Sequence, residues 1–161
     1  MNYREKIIER AAISSRLARL VRPLVFTNGV FDLLHPGHVA YLAAARALGG
    51  ALVVGLNSDV SARLLEKGAD RPINPEHDRA QLLAGLESVS LVTLFDEATP
   101  LALLEIVKPD IYVKGGDYDI AALAETALVQ SWGGTARAID FLPGYSTTRL
   151  LQRIRASSPE I

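Results

Sequence analysis

At 161 residues with a formal net charge of −1, the chain is long enough for one full core and carries no global surplus of charge. Neither nucleic acid nor a membrane surface is expected as a partner, and any anion site must be local. The absence of cysteine excludes a disulfide framework, a thiolate nucleophile and a cysteine-held zinc. No apolar run approaches the roughly 20 residues that span a bilayer, and the start lacks the apolar core of a signal peptide, so a cytoplasmic protein is expected.

Residues 2 to 22 read as an amphipathic helix, with Ile7, Ile8, Ala11, Ala12, Leu17 and Leu20 set among Arg, Lys and Glu. Glu5 and Glu9 argue against a transit peptide, so this helix is expected to pack on its own domain or on a second copy in a homo-oligomer. The main domain then covers 23–156 and a polar tail 157–161. A strand at Leu24, Val25 and Phe26 leads to a turn at Asn28-Gly29 and a helix opening at Pro36. Gly49-Gly50 closes that helix, and ALVVGL (Ala51 to Leu56) is a buried strand. Leu65 to Asn74 (LEKGADRPIN) is the long irregular stretch and suggests a mobile active-site loop.

Asn74-Pro75 caps a helix running to about Leu86, and LVTLF (Leu91 to Phe95) is the third strand. Thr99-Pro100 starts another helix, followed by the strand IYVK (Ile111 to Lys114). A helix from about Ala121 to Trp132 stops at Gly133-Gly134, Ala136 to Phe141 is the fifth strand, and a last helix runs from Ser146 or Thr147 to about Arg155. Apolar strands alternating with helices predict a single-domain, Rossmann-like α/β fold, a doubly wound parallel sheet of five strands with helices on both faces. Ligands in such folds lie beyond the carboxyl ends of the strands. The segments to watch are Thr27 to His38, Asn57 to Asp59, Lys114 to Tyr118 and Tyr145 to Arg149.

The first of these carries the chemistry. Proline is favoured at the first helical position, which puts His35 at the cap and His38 one turn on, both beside the free N–H groups of a helix start. That is an anion site. Neither the G-x-G-x-x-G of dinucleotide enzymes nor the G-x-x-x-x-G-K-[ST] of P-loop proteins is present. Cations Lys67, Arg71, Arg79, Lys114 and Arg149 are scattered at other strand ends. The set fits attack by a phosphate on the α-phosphorus of a nucleoside triphosphate, in which the protein aligns and neutralises charge, with Mg²⁺ sharing that load. A metal reading of the histidine pair lacks a third ligand. Ser146 to Thr148 also suit a plain helix cap, which uses the same atoms as phosphate binding.

The run GVFDLLHPGH (Gly29 to His38), answered by Ser146, Thr147 and Thr148, resembles the signature of the HxGH nucleotidyltransferases. Within them TNGVFD (Thr27 to Asp32), LNSD (Leu56 to Asp59), RPINP (Arg71 to Pro75), VKGGDY (Val113 to Tyr118) and GYSTT (Gly144 to Thr148) are most similar to the heptose-1-phosphate adenylyltransferases. These also occur as the C-terminal half of a bifunctional heptose kinase/adenylyltransferase. Val30 stands where the cytidylyltransferases carry a threonine, and the arginine they place before the S-T motif is missing.

The resemblance implies transfer of AMP from ATP to heptose 1-phosphate, with Mg²⁺, in the supply of ADP-heptose for lipopolysaccharide. It implies a stand-alone enzyme fed by a separate kinase, catalysis by His35, His38 and Lys67, and no protein-held metal. Thr27, Asn28, Gly29, Val30, Phe31, Lys114, Ser146, Thr147 and Thr148 are implied for the nucleotide. Asp32, Asn57, Asp59, Arg79, Gly116 and Asp117 are implied for the acceptor, with a hydrogen bond to its own turn as the alternative for Asp32 and a structural role for Arg79. A cytidylyltransferase for a polyol phosphate such as glycerol 3-phosphate, and a non-catalytic nucleotide sensor, are the alternative functions.

Overall fold

The computed structural model describes residues 2–65, 68, 70–116 and 119–157; Lys67, Asp117, Tyr118 and the tail from 158 lie outside the described residues. Strands β1 (Leu24–Gly29), β2 (Ala51–Asn57), β3 (Leu91–Phe95), β4 (Ile111–Gly115) and β5 (Thr135–Ile139) form one parallel sheet in the order β3-β2-β1-β4-β5. Successive side chains alternate between two apolar layers. Val25, Leu52, Val54, Val92 and Val113 face one, and Leu24, Phe26, Val53, Leu91 and Tyr112 face the other. Burial on both faces is why the strands read as unbroken apolar runs.

Helices α1 (Ile13–Leu17), α2 (Pro36–Arg46), α3 (Asp59–Leu64), α4 (Glu76–Ala84), α5 (Leu101–Val107), α6 (Ala124–Gln130) and α7 (Thr147–Ser157) alternate with the strands. Tyr41, Leu42 and Ala45 of α2 and Leu83 of α4 cover the first layer. Ile13, Leu103, Leu104 and Val129, from α1, α5 and α6, cover the second. The doubly wound arrangement matches expectation. Connections pass from β1 outward through β2 to β3, then cross to β4 on the other flank of β1, so strand order reverses between β1 and β4. A crevice at the carboxyl ends of those two strands is the topological place for a ligand.

Local details differ. β1 runs through Asn28 and Gly29, where a turn was expected, because these residues pair with Gly55 and Leu56 of β2. Helix α3 was not foreseen; it is six residues long and is started by Ser58, whose Oγ accepts from Ser61 N at 3.1 Å. The helix expected from Ala121 begins at Ala124, after a 3₁₀ turn at Ile120–Ala122.

The amphipathic helix expected over residues 2 to 22 is replaced by 3₁₀ turns at Tyr3–Lys6 and Arg10–Ala12 followed by α1. Between the two turns Ile7 forms a parallel bridge with Val92 and Ile8 N donates to Val92 O at 2.9 Å. Extended backbone sends neighbouring side chains to opposite sides. Ile7 therefore joins one apolar layer, while Ile8, Ile13, Leu17 and Leu20 join the other. The apolar stripe belongs to a strap wrapped over the β3 edge. No helix among the described residues is long and apolar enough to cross a membrane.

Ile13, with no exposed surface, pins this strap. Ile13→Ala should lower unfolding free energy by about 2–4 kcal/mol in urea titrations. A loss under about 0.5 kcal/mol, as for a surface position, would mean that the strap is not part of the folded core.

Candidate active site

The floor of the crevice is the end of β1. Tyr112 Oη donates to Asn28 Oδ1 at 3.0 Å, which leaves the Asn28 Nδ2 group as a donor toward the crevice. Thr27 was expected beneath a phosphate, but its side chain lies in the core: its Oγ1 is 2.6 Å from Tyr41 Oη, which also donates to Val113 O at 3.3 Å. Burial pushes the Tyr41 hydroxyl up to about 12. Just past the strand, Phe31 has φ 46°, a left-handed conformation costly for an aromatic residue. That turn sets the Phe31 ring edge-on to His38, with centroids 5.3 Å apart.

His35 caps α2 and His38 lies in its first turn, as the sequence predicted. Their rings stack at 3.8 Å between centroids. His35 Nδ1 accepts from His38 N at 3.4 Å, so the proton of the neutral ring is on Nε2, directed away from the helix. Gly37 permits this packing, since a Cβ there would come within 2.9 Å of His35 Nδ1 and 3.1 Å of Tyr145 Cβ. Burial lowers the pKa of His35. Burial and the neighbouring His35 bring His38 down to about 4, against the opposing pull of the Leu33 carbonyl, which favours the protonated ring. Both rings are thus neutral at pH 7 in the ligand-free protein. Nδ1 of His38 is buried and has no hydrogen-bond partner among the described residues.

Four residues expected at the acceptor form a layer beneath the site. Arg79 has no exposed surface and donates to Asn74 O, Val30 O, Asn57 O and Asp59 Oδ1 at 2.7–2.9 Å. Asn57 spends its amide on Ser61 Oγ, and Asp59 N donates to Glu76 Oε2. Asp32, 2% exposed, accepts from Ile73 N, Asn74 N and Arg71 Nε at 2.8–2.9 Å. The Asp32 carboxylate therefore holds residues 71–74, the described end of the loop expected to be mobile. Gly116, also expected at the acceptor, is buried with φ 103° and donates its N–H to Ile139 O. These hydrogen bonds tie Arg79, Asn57, Asp59, Asp32 and Gly116 to neighbouring protein groups and so support the walls of the site.

Two cavities meet at the histidines. A pocket of about 190 Å³ is lined by Asn28, Gly29, Val30, Phe31, Asp32, His38, Lys114 and Thr147, all expected at the site, together with Tyr41, Arg71, Gly115 and Phe141. A larger groove of about 750 Å³ runs between His35 and α7, past Tyr145, Ser146, Arg149 and Arg153. Ser146 Oγ accepts from Arg149 N at 3.1 Å and so caps α7. Thr148 is exposed and lines neither cavity. Arg71 stands in the sequence as a scattered cation and as the first residue of the RPINP motif, without a role of its own, because a loop has no periodicity from which to project where its side chain lies. Among the described residues no group of three His, Asp or Glu side chains is placed to hold a metal ion.

Two measurements follow from this geometry. Unfolded His38 titrates near the ordinary 6.5 and folded His38 near 4, so the unfolded chain binds more protons between those values. Stability should fall as pH drops through that window. Thermal melts between pH 7 and 4.5 should show a shallower decline in His38→Gln than in the parent; equal slopes would contradict the lowered value. Arg79→Met leaves three carbonyls and Asp59 without their donor and should cost about 3–5 kcal/mol in urea unfolding.

The cytidylyltransferase-like family model matches residues 26–154. A D-beta-D-heptose 1-phosphate adenylyltransferase from Bordetella bronchiseptica is 56% identical over 155 residues, covering 95% of this chain and 96% of that protein. The bifunctional protein HldE from Geotalea uraniireducens is 52% identical over 135 residues, 84% of this chain and 27% of that longer protein. The crystal structure of the lipopolysaccharide core biosynthesis protein from Thermoplasma volcanium superposes with a TM-score of 0.62 at 32% identity, over 74% of this chain and 95% of that one. The strand-end histidine site falls inside the matched span, and the chain belongs to the cytidylyltransferase-like family.

Proposed function

We propose that the chain transfers AMP from ATP to D-glycero-D-manno-heptose 1-phosphate, giving ADP-heptose and pyrophosphate. The observation that carries the reaction type is the stacked histidine pair, with one ring facing each of two cavities. The match along nearly the full length of a heptose 1-phosphate adenylyltransferase supplies the acceptor. Both substrates are highly charged and are met in the cytoplasm, where this reading puts the reaction.

An oxygen of the sugar phosphate, already anionic at neutral pH, attacks the α-phosphorus of ATP. A new P–O bond forms, the bond to the β-phosphate bridge breaks, and pyrophosphate leaves on the opposite side. No general base is required. His35 and His38 donate to the phosphates at the start of α2, where free N–H groups add to the field. Ser146 and Thr147 do the same at the start of α7, and Asn28 Nδ2 holds the α-phosphate from below. We assign Lys67 and Lys114 to the same charge.

Magnesium fits as an ion carried by the triphosphate. Asp32 is the carboxylate lining the smaller pocket among the described residues, and two N–H groups and Arg71 already occupy it. The ion supplies neutralisation of the triphosphate.

Pyrophosphate release in Mg²⁺ with ATP, CTP, GTP or UTP against sugar 1-phosphates and polyol phosphates tests the assignment. Turnover is expected with ATP and heptose 1-phosphate, and release confined to CTP with glycerol 3-phosphate would sink it. His38→Ala should lower kcat by on the order of 10²-fold with unchanged circular dichroism, because its contact strengthens as charge builds on the phosphates. Near-normal turnover would remove His38 from the mechanism.

A further inference from the structure

We infer that Arg71 binds the phosphate of the acceptor, and that Asp32 serves to aim it; this rests on the nucleotidyl-transfer reading above. Arg71 lines the smaller pocket beside Asn28, His38 and Lys114. Its side chain is 16% exposed and that of Asp32 1%. The pair meets through Nε alone, at 2.8 Å. A guanidinium is planar, so fixing Nε fixes the plane and direction of the two terminal nitrogens. Among the described residues neither Nη atom has a partner. A fork of two N–H donors, rigidly mounted on a pocket wall, matches two oxygens of a phosphomonoester.

Asp32 shows the same purpose from the other side. Its carboxylate takes the N–H groups of Ile73 and Asn74 as well as Arg71 Nε. Asn74 Nδ2 in turn donates to Asp32 O at 2.9 Å. Backbone on both sides of the ion pair is therefore fixed to the turn that follows β1. An ordinary loop lysine or arginine has no such mounting.

In-line displacement decides which phosphate this is. Entering and leaving oxygens lie on opposite sides of the α-phosphorus. The groove on the His35 side ends at the α7 start, with Ser146, Arg149 and Arg153, and takes the pyrophosphate. His38, stacked against His35, faces the pocket that holds Arg71. The group entering from that pocket is the acceptor phosphate.

The test uses whichever phosphate acceptor turns over in the nucleotide and acceptor panel, so a different acceptor would revise the assigned function and leave Arg71 open to measurement. Arg71→Gln and Arg71→Lys should raise KM for the acceptor on the order of 10- to 100-fold, with KM for the nucleotide within about threefold of the parent. An unchanged acceptor KM, or an equal rise in both, overturns the assignment. A second arm uses the unaltered protein, with phenylglyoxal modification of Arg71 read by peptide mass spectrometry. The acceptor alone should slow modification about tenfold and Mg²⁺-ATP alone should not, as expected for occupancy of a two-donor fork. Protection by the nucleotide alone, or by neither, overturns it.

Discussion

The site depends on one buried charge. Arg79 is wholly enclosed and its guanidinium is shared among the turn after β1, the end of β2, the loop before α4, and Asp59. A charge removed from water is tolerated only while its hydrogen bonds are kept, so each of those three carbonyls is held in place by the penalty for losing it. Three segments far apart in sequence thereby share one anchor, and the turn after β1 inherits its rigidity. Asp32 repeats the arrangement with the sign reversed, as a carboxylate fixed by amide donors and an arginine.

On that base the upper layer can be strained and unsatisfied. Phe31 stays in a left-handed conformation because Arg79 holds the carbonyl before it and Asp32 holds the turn after it. Among the described residues His38 keeps a buried nitrogen without a partner, and stacking with His35 disfavours a positive charge on both rings. A polyanion bound at the helix start would oppose that preference, since negative charge stabilises the protonated form. In the proposed reaction, donors already in position would need no reorganisation as charge moves on the phosphates.

Much of this was legible in the residues. Five apolar runs gave the sheet, and proline and glycine marked the start of α2 and the end of its helical turn region. Pro36 placed His35 and His38 at the helix start where the structure has them. What could not be read was direction. Thr27 and Asn28 are neighbours on a strand, yet one faces Tyr41 in the core and the other the crevice. Arg79, Asn57 and Asp59 stand near strand ends, where polar residues serve either support or contact, and a linear motif does not show the hydrogen bonds that tie them to neighbouring segments. The N-terminal strap failed for a related reason. Ile7 and Ile8 suit a helical stripe as well as a strand that straddles an edge, and the deciding partner, Val92, is 85 residues away in the chain, by their numbering.

The strap has a consequence for how molecules of this chain meet. A parallel sheet has two edges, here β3 and β5. The chain's own Ile7 and Ile8 pair with Val92 on the β3 edge, while β5 has mostly exposed residues. Among the described residues no strand or bridge pairs with the outer side of β5, whereas the β3 edge is obstructed. With the β3 edge taken, edge-to-edge backbone pairing could join at most two sheets, because endless stacking requires two free edges on every copy.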